Sequence, residues 1–181
     1  MRLRSHHSHG LVHLTLHNIL VGGAALVLCS VAFWDIVLRT VSDRSTAALG
    51  VAGIILRWLD GTLLIAGAIA LTAFAAAWLI WSRGWLGGGD VKLLPATMVL
   101  VPPPLQLTEL AVMGYVGGAI GLLYLLVRQF LRPNLHARPT RLLHRIVRVE
   151  IWRLARGGGI PYAVAIAAGA LGALASEGFS L

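Results

Sequence analysis

Charge is what this 181-residue chain has least of. Asp, Glu, Lys and Arg make up 12% of it, against 57% hydrophobic residues and a mean hydropathy of +0.81. A soluble domain carries about 25% charged residues, so a water-exposed globular surface is excluded. Cysteine is nearly absent too. The single Cys29 rules out an intramolecular disulfide and any cysteine-built zinc site, and its place inside an apolar run suits small-residue packing. No period of 20 to 50 residues recurs, and no polar stretch is long enough for a separate soluble domain. The chain reads as one membrane-embedded domain over residues 1–181.

What is present is a series of apolar runs, at about 18–38, 46–59, 62–81, 91–104, 107–131 and 160–178. Several reach the roughly 20 residues that a helix needs to cross the hydrocarbon core. The expected fold is an all-α, polytopic helix bundle of about six transmembrane helices. The runs at 46–59 and 91–104 are short, at 1.5 Å per residue only about 21 Å of helix, and read as thin or re-entrant pieces. The last run, IPYAVAIAAGALGALA, is rich in glycine and alanine, which lets helices approach closely.

The net charge of +8 does not point to nucleic acid, because the basic residues sit in short connections between apolar runs, where they set membrane orientation. Eight arginines (Arg128, Arg132, Arg138, Arg141, Arg145, Arg148, Arg153 and Arg156) fall in the connection between the fifth and sixth runs, which marks it as cytoplasmic. Alternation then brings Arg39, Arg44, Arg83 and Lys92 to the same side, and Asp60 and Pro102–Pro104 to the other. Arg2 and Arg4 weigh against the outside amino terminus this requires. Trp34, Trp58, Trp78, Trp81 and Trp85 lie near segment ends, as interfacial anchors do. Within the fifth-to-sixth connection, Leu143, Val147, Ile151 and Leu154 follow helical spacing with Arg141, Arg145 and Arg148 on another face. Residues 139–156 thus suit an interfacial helix on anionic membrane lipids, or a basic topology loop that is helical. The tract His6, His7, His9, His13 and His17 has no nearby carboxylate or thiolate to complete a metal site, and no cofactor is expected. The first run continues into Trp34-Asp35 without a small-residue cleavage site and reads as a retained span.

Only seven acidic residues exist, so each can be weighed. Asp60 in LDGT reads as a turn, Glu150 as a partner for nearby arginines, and Glu109 and Glu177 as residues near outer segment ends. Asp35 differs, because SVAFWDIVLRTVSD embeds it in apolar neighbours near the inner end of the first span, where an unpaired carboxylate is costly. A surface pair with Arg39 at i,i+4 is the competing reading. Asp90 starts the fourth run on the same side, after Gly87, Gly88 and Gly89. These glycines can take positive φ and permit close backbone approach, aiming Asp90 inward at another helix; a flexible hinge or a plain helix boundary is the competing reading. Two carboxylates brought together at low dielectric do not easily both ionise, so one proton is shared. The ionised group can then activate water while the protonated one polarises a carbonyl. Lys92 and Arg39 read as positioning or anchoring residues, since a cation on the pair would hinder proton sharing.

These residues resemble the type IV prepilin peptidases, membrane aspartic proteases of the GxGD kind. Gly87-Gly88-Gly89-Asp90-Val91-Lys92-Leu93 matches the GxGDxKL motif, and Asp35 with Arg39, Val41, Ser42 and Asp43 resembles the first motif, though Ser42-Asp43 replaces the usual Pro-Asn. Ile160 to Gly169 resembles the final span of the small Flp, or tight-adherence pilus, branch. The resemblance implies Asp35 and Asp90 as the catalytic pair, with Gly87, Gly89, Lys92 and Arg39 in support. It also implies a prepilin or pseudopilin leader peptide as substrate, pilus assembly machinery as a partner class, and cleavage at the cytoplasmic face of the bacterial inner membrane. The loop that in larger relatives carries zinc-binding cysteines and a methyltransferase domain is absent, which implies a peptidase without methylation. Two other readings compete: a proton-coupled transporter component, since intramembrane aspartates also relay protons, and a non-catalytic pilus or secretion scaffold.

Overall fold

The computed structural model describes residues 3–130 and 161–178, with side chains from Thr15 to Leu126 and from Pro161 to Glu177. Among the described residues there are six α-helices, one short 3-10 turn and no strand. The helices are α1 (Leu3–Leu38), α2 (Asp43–Leu59), α3 (Leu63–Ser82), α4 (Gly88–Leu100), α5 (Gln106–Phe130) and α6 (Tyr162–Gly178), with the 3-10 turn at Pro103–Leu105. The segments Thr15–Leu38, Leu63–Ser82 and Pro103–Leu126 are long and apolar enough to cross a membrane, and Tyr162–Glu177 is a shorter apolar helix. The protein is an all-helical, multi-pass membrane bundle. The interfacial helix expected at 139–156, most of the arginine-rich connection and the side chains of His6, His7, His9 and His13 lie outside the described residues.

Helix ends follow from local chemistry. After α2, Gly61 takes φ 69° while Gly61 N–H donates to Trp58 O at 3.2 Å and Thr62 N–H to Arg57 O at 2.9 Å. After α3, Gly84 takes φ 75° while Gly84 N–H donates to Trp81 O at 2.8 Å and Trp85 N–H to Ile80 O at 3.2 Å. Both are Schellman caps, in which a left-handed glycine lets the chain satisfy the last carbonyls of a helix. The run expected over 91–104 stops earlier, at Leu100, because Pro102, Pro103 and Pro104 cannot continue a helix. α1, by contrast, begins well before its apolar run.

Packing centres on α4. Although it has only 13 residues, Asp90, Val91, Leu93, Ala96, Thr97, Met98 and Leu100 are all buried, and α2, α3 and α6 surround it. Lipid tails are as apolar as leucine, so close packing rather than escape from water joins such helices, and small residues let backbones meet. A Cβ at Gly53 of α2 would come within 2.6 Å of Leu100 N, and one at Gly169 of α6 within 2.6 Å of Glu109 O on α5. Those two contacts set the α2–α4 and α5–α6 spacings.

Alternating directions bring the end of α1, the start of α2, the end of α3 and the start of α4 to one end of the bundle. The opposite end carries the Arg57–Asp60 ion pair at 3.1 Å and a His17–Glu177 contact at 3.6 Å that ties α1 to α6. There Glu109 lies in the first turn of α5, at the segment end expected for it, and is fully buried, with Thr97 of α4 as its polar neighbour. Arg57 is likewise 2% exposed.

Candidate active site

Asp35 lies in the last turn of α1. The buried residues of that helix from Thr15 onward are Ala24, Leu28, Val31 and Asp35, at alternating steps of four and three, so the carboxylate continues the seam that faces the core. Its sequence neighbours Trp34 and Ile36 are 49% and 44% exposed. Helical periodicity alone therefore turns this acid inward at 6% exposure.

Asp90 owes its position to the glycines. Gly87 is the N-cap of α4, with φ −72° and ψ 144°, which makes Asp90 the third helical residue. From there its carboxylate reaches back to the Gly87 backbone N–H, as the third residue of a capping box does. Its own N–H donates to Gly87 O at 3.1 Å. At 8% exposure the side chain is pinned over the helix start.

Each glycine has a different task, and none uses positive φ; among the described residues, the glycines with positive φ are Gly61 and Gly84. This corrects the expectation of a left-handed turn at 87–89. What the motif supplies is close approach. A Cβ at Gly87 would lie 2.9 Å from Asp90 Oδ2, and one at Gly89 2.9 Å from the Cβ of Val41, in the connection between α1 and α2. A Cβ at Gly88 would meet only Trp81 Nε1 at an ordinary 3.5 Å. The middle position has room, as the x of GxGD suggests.

Because Gly89 sits on Val41, the segment just after Asp35 is drawn against the first turn that carries Asp90. The two carboxyl groups come within electrostatic reach of each other. Arg39 acts electrostatically on Asp90 as well, as the weakest of the influences on it. Lys92 behaves differently. Its Nζ meets Asp43 Oδ1 at 2.9 Å on the surface, both side chains being more than half exposed, and so ties the start of α4 to the start of α2.

One residue that sequence reasoning missed is Tyr124 on α5. Its hydroxyl accepts a hydrogen bond from Arg39 Nη2 at 2.9 Å, and the Arg39 guanidinium carbon lies 5.9 Å from its ring centroid. Two hollows adjoin this end of the bundle. A groove of about 500 Å³ between α3, α4, α5 and α6 is apolar, its wall including Ile80, Trp85, Leu86, Leu94, Met98 and Tyr162. A smaller one of about 310 Å³ lies between α1 and α2, lined by Val31, Trp34, Leu38, Val41 and three hydroxyl residues. No cluster of three or more metal-ligating side chains occurs among the described residues.

A family model for the type IV leader peptidase family matches residues 23–126, more than half of the chain. Neither the curated proteins nor the solved structures give a match to set beside it. The matched segment runs from the buried seam of α1 through both aspartates into α5, and this membrane-embedded peptidase belongs to the type IV leader peptidase family.

Proposed function

We propose that the protein is an aspartic endopeptidase that removes the leader peptide of prepilins of the Flp type, at the cytoplasmic face of the bacterial inner membrane. The observation that supports this reading is that two buried carboxyl groups, Asp35 and Asp90, lie at one end of the bundle within electrostatic reach of each other. The cytoplasmic assignment rests on the arginines between α5 and α6. The Flp branch rests on the resemblance of residues 160–169 and on the missing cysteine-bearing loop.

In the reaction, one carboxylate takes a proton from a water held between the pair while the protonated partner donates to the scissile carbonyl oxygen. The water oxygen bonds to the carbonyl carbon and forms a tetrahedral gem-diol. A proton passes to the peptide nitrogen, the C–N bond breaks, and the pair returns to its one-proton state. Low dielectric favours this sharing, because a second ionisation beside the first is costly. The apolar groove beside α4 suits the apolar segment of a prepilin lying alongside the site.

The test is purified protein in detergent mixed with candidate prepilins, with the products weighed by mass spectrometry. A single cut between leader and mature pilin supports the proposal. Proton flux into liposomes with no cleavage of any prepilin would replace it with a transporter.

A further inference from the structure

Arg39 stands out in the backbone before its side chain is considered. At φ 57° it is the non-glycine residue with positive φ among the described residues, a conformation that the Cβ of an L-residue makes unfavourable. Such outliers persist where surrounding structure over-determines them, and they collect at functional sites. The surroundings here are specific. Arg39 N–H donates to Asp35 O at 3.0 Å, closing the turn that carries the acid. The left-handed step after Leu38 then sends the guanidinium across to α5, where Tyr124 receives it through hydroxyl and ring together. α1 and α5 otherwise share little packing, so this contact is a cross-brace between them.

We propose that Tyr124 is a positioning residue for the peptidase reaction: by holding the Arg39 guanidinium through its hydroxyl and ring, it fixes the end of α1, and with it Asp35, relative to Asp90. This deepens the aspartic peptidase reading and rests on it. Arg39 is linked to both residues, by its N–H to the backbone carbonyl of Asp35 and by its charge to the Asp90 carboxyl group. A guanidinium is planar and directional, so the acceptor that orients it decides where its charge falls. A long side chain left unanchored samples many rotamers, and misplacing a catalytic group by about 1 Å costs on the order of 100-fold in rate.

The test uses the full chain in detergent with a prepilin that the wild type cleaves, and separates kcat from KM. Tyr124→Phe keeps the ring under the guanidinium and loses the hydroxyl acceptor; the account expects kcat to fall about 3- to 10-fold with KM within about twofold, the size of one lost hydrogen bond. Tyr124→Leu removes both contacts and is expected to lower kcat further, again without a matching rise in KM. Arg39→Lys keeps a positive charge but cannot fork between hydroxyl and ring, and it should resemble Tyr124→Leu, with no added loss when the two are combined. Wild-type kcat in both Tyr124 variants would overturn the inference while leaving the peptidase reading intact. So would a loss confined to KM. A wild-type protein that cleaves no prepilin would instead remove the reading on which the inference stands.

Discussion

Gly89 at the start of α4 and Val41 in the connection after α1 touch so closely that a Cβ on the glycine would lie 2.9 Å from the valine Cβ. Through this contact the two halves of the site, separated by 55 positions between Asp35 and Asp90, are drawn together. Gly89→Ala is therefore expected to push α4 from the connection, costing about 1–3 kcal/mol as overpacking does, and to lower leader cleavage. Removing the opposing Cβ, as in Gly89→Ala with Val41→Gly, should restore much of both. Thermal unfolding in detergent and a cleavage assay on the same samples check this; a double variant no better than the single would show that the contact is not what matters.

Gly87→Ala should behave in the opposite way. Its new Cβ meets the end of a side chain, Asp90 Oδ2 at 2.9 Å, which can rotate aside while the helix stays intact. Melting temperature should fall only modestly, by the loss of one capping contact, while cleavage falls by on the order of 100-fold, the effect of a carboxylate displaced by about 1 Å. Gly88→Ala, with only Trp81 Nε1 at 3.5 Å, should keep full activity and, if anything, gain up to about 1 kcal/mol from the helix preference of alanine. Equal damage from all three substitutions would mean that the motif works by backbone flexibility instead.

The Lys92–Asp43 pair sits in the open, with side chains 58% and 76% exposed, so its contribution is limited to about 0–1 kcal/mol. Lys92→Glu should leave like charges facing each other and reduce cleavage severalfold. The swap Lys92→Glu with Asp43→Lys should recover most of it, and high salt should blunt the difference. Initial rates of the three proteins at two salt concentrations decide the matter.

Glycines away from the site make a control for packing. Gly169→Val drives a side chain at Glu109 O and Met113, whereas a Cβ at Gly118 meets nothing within 4 Å. The first substitution should lower stability by about 1–3 kcal/mol or more, and Gly118→Ala should be close to neutral. Detergent melting curves give the comparison directly.

Much of the architecture was legible because lipid imposes one rule, that spanning backbone be helical, and hydropathy then marks the spans. The runs at 46–59, 62–81, 107–131 and 160–178 correspond to α2, α3, α5 and α6 within a few residues. α1 was underestimated because its first turns are polar, and a helix can continue through His and Ser without an apolar signal. The inward aim of Asp35 was readable in principle from its spacing with Ala24, Leu28 and Val31. Other features were hidden by their nature. Whether a glycine serves conformation or close approach depends on a neighbour that sequence spacing does not name, and here that neighbour is Val41. Arg39 and Tyr124 lie 85 positions apart, and a tyrosine near the end of an apolar run looks like an interfacial anchor. Glu109 is the segment-end acid that its place in the run suggests, but its burial was hidden, because that depends on which face of α5 meets its neighbours and the apolar run around it does not say.

The central claim is that Asp35 and Asp90 act as one chemical unit. Single-turnover cleavage of one prepilin by Asp35→Asn, Asp90→Asn and the double variant, each shown to keep its helical content, measures this most directly. Members of a unit are strongly non-additive, so each single variant should lose at least about 1,000-fold and the double should lose no more than the worse of the two. Normal leader removal by either single variant, or losses that multiply in the double, would contradict the account.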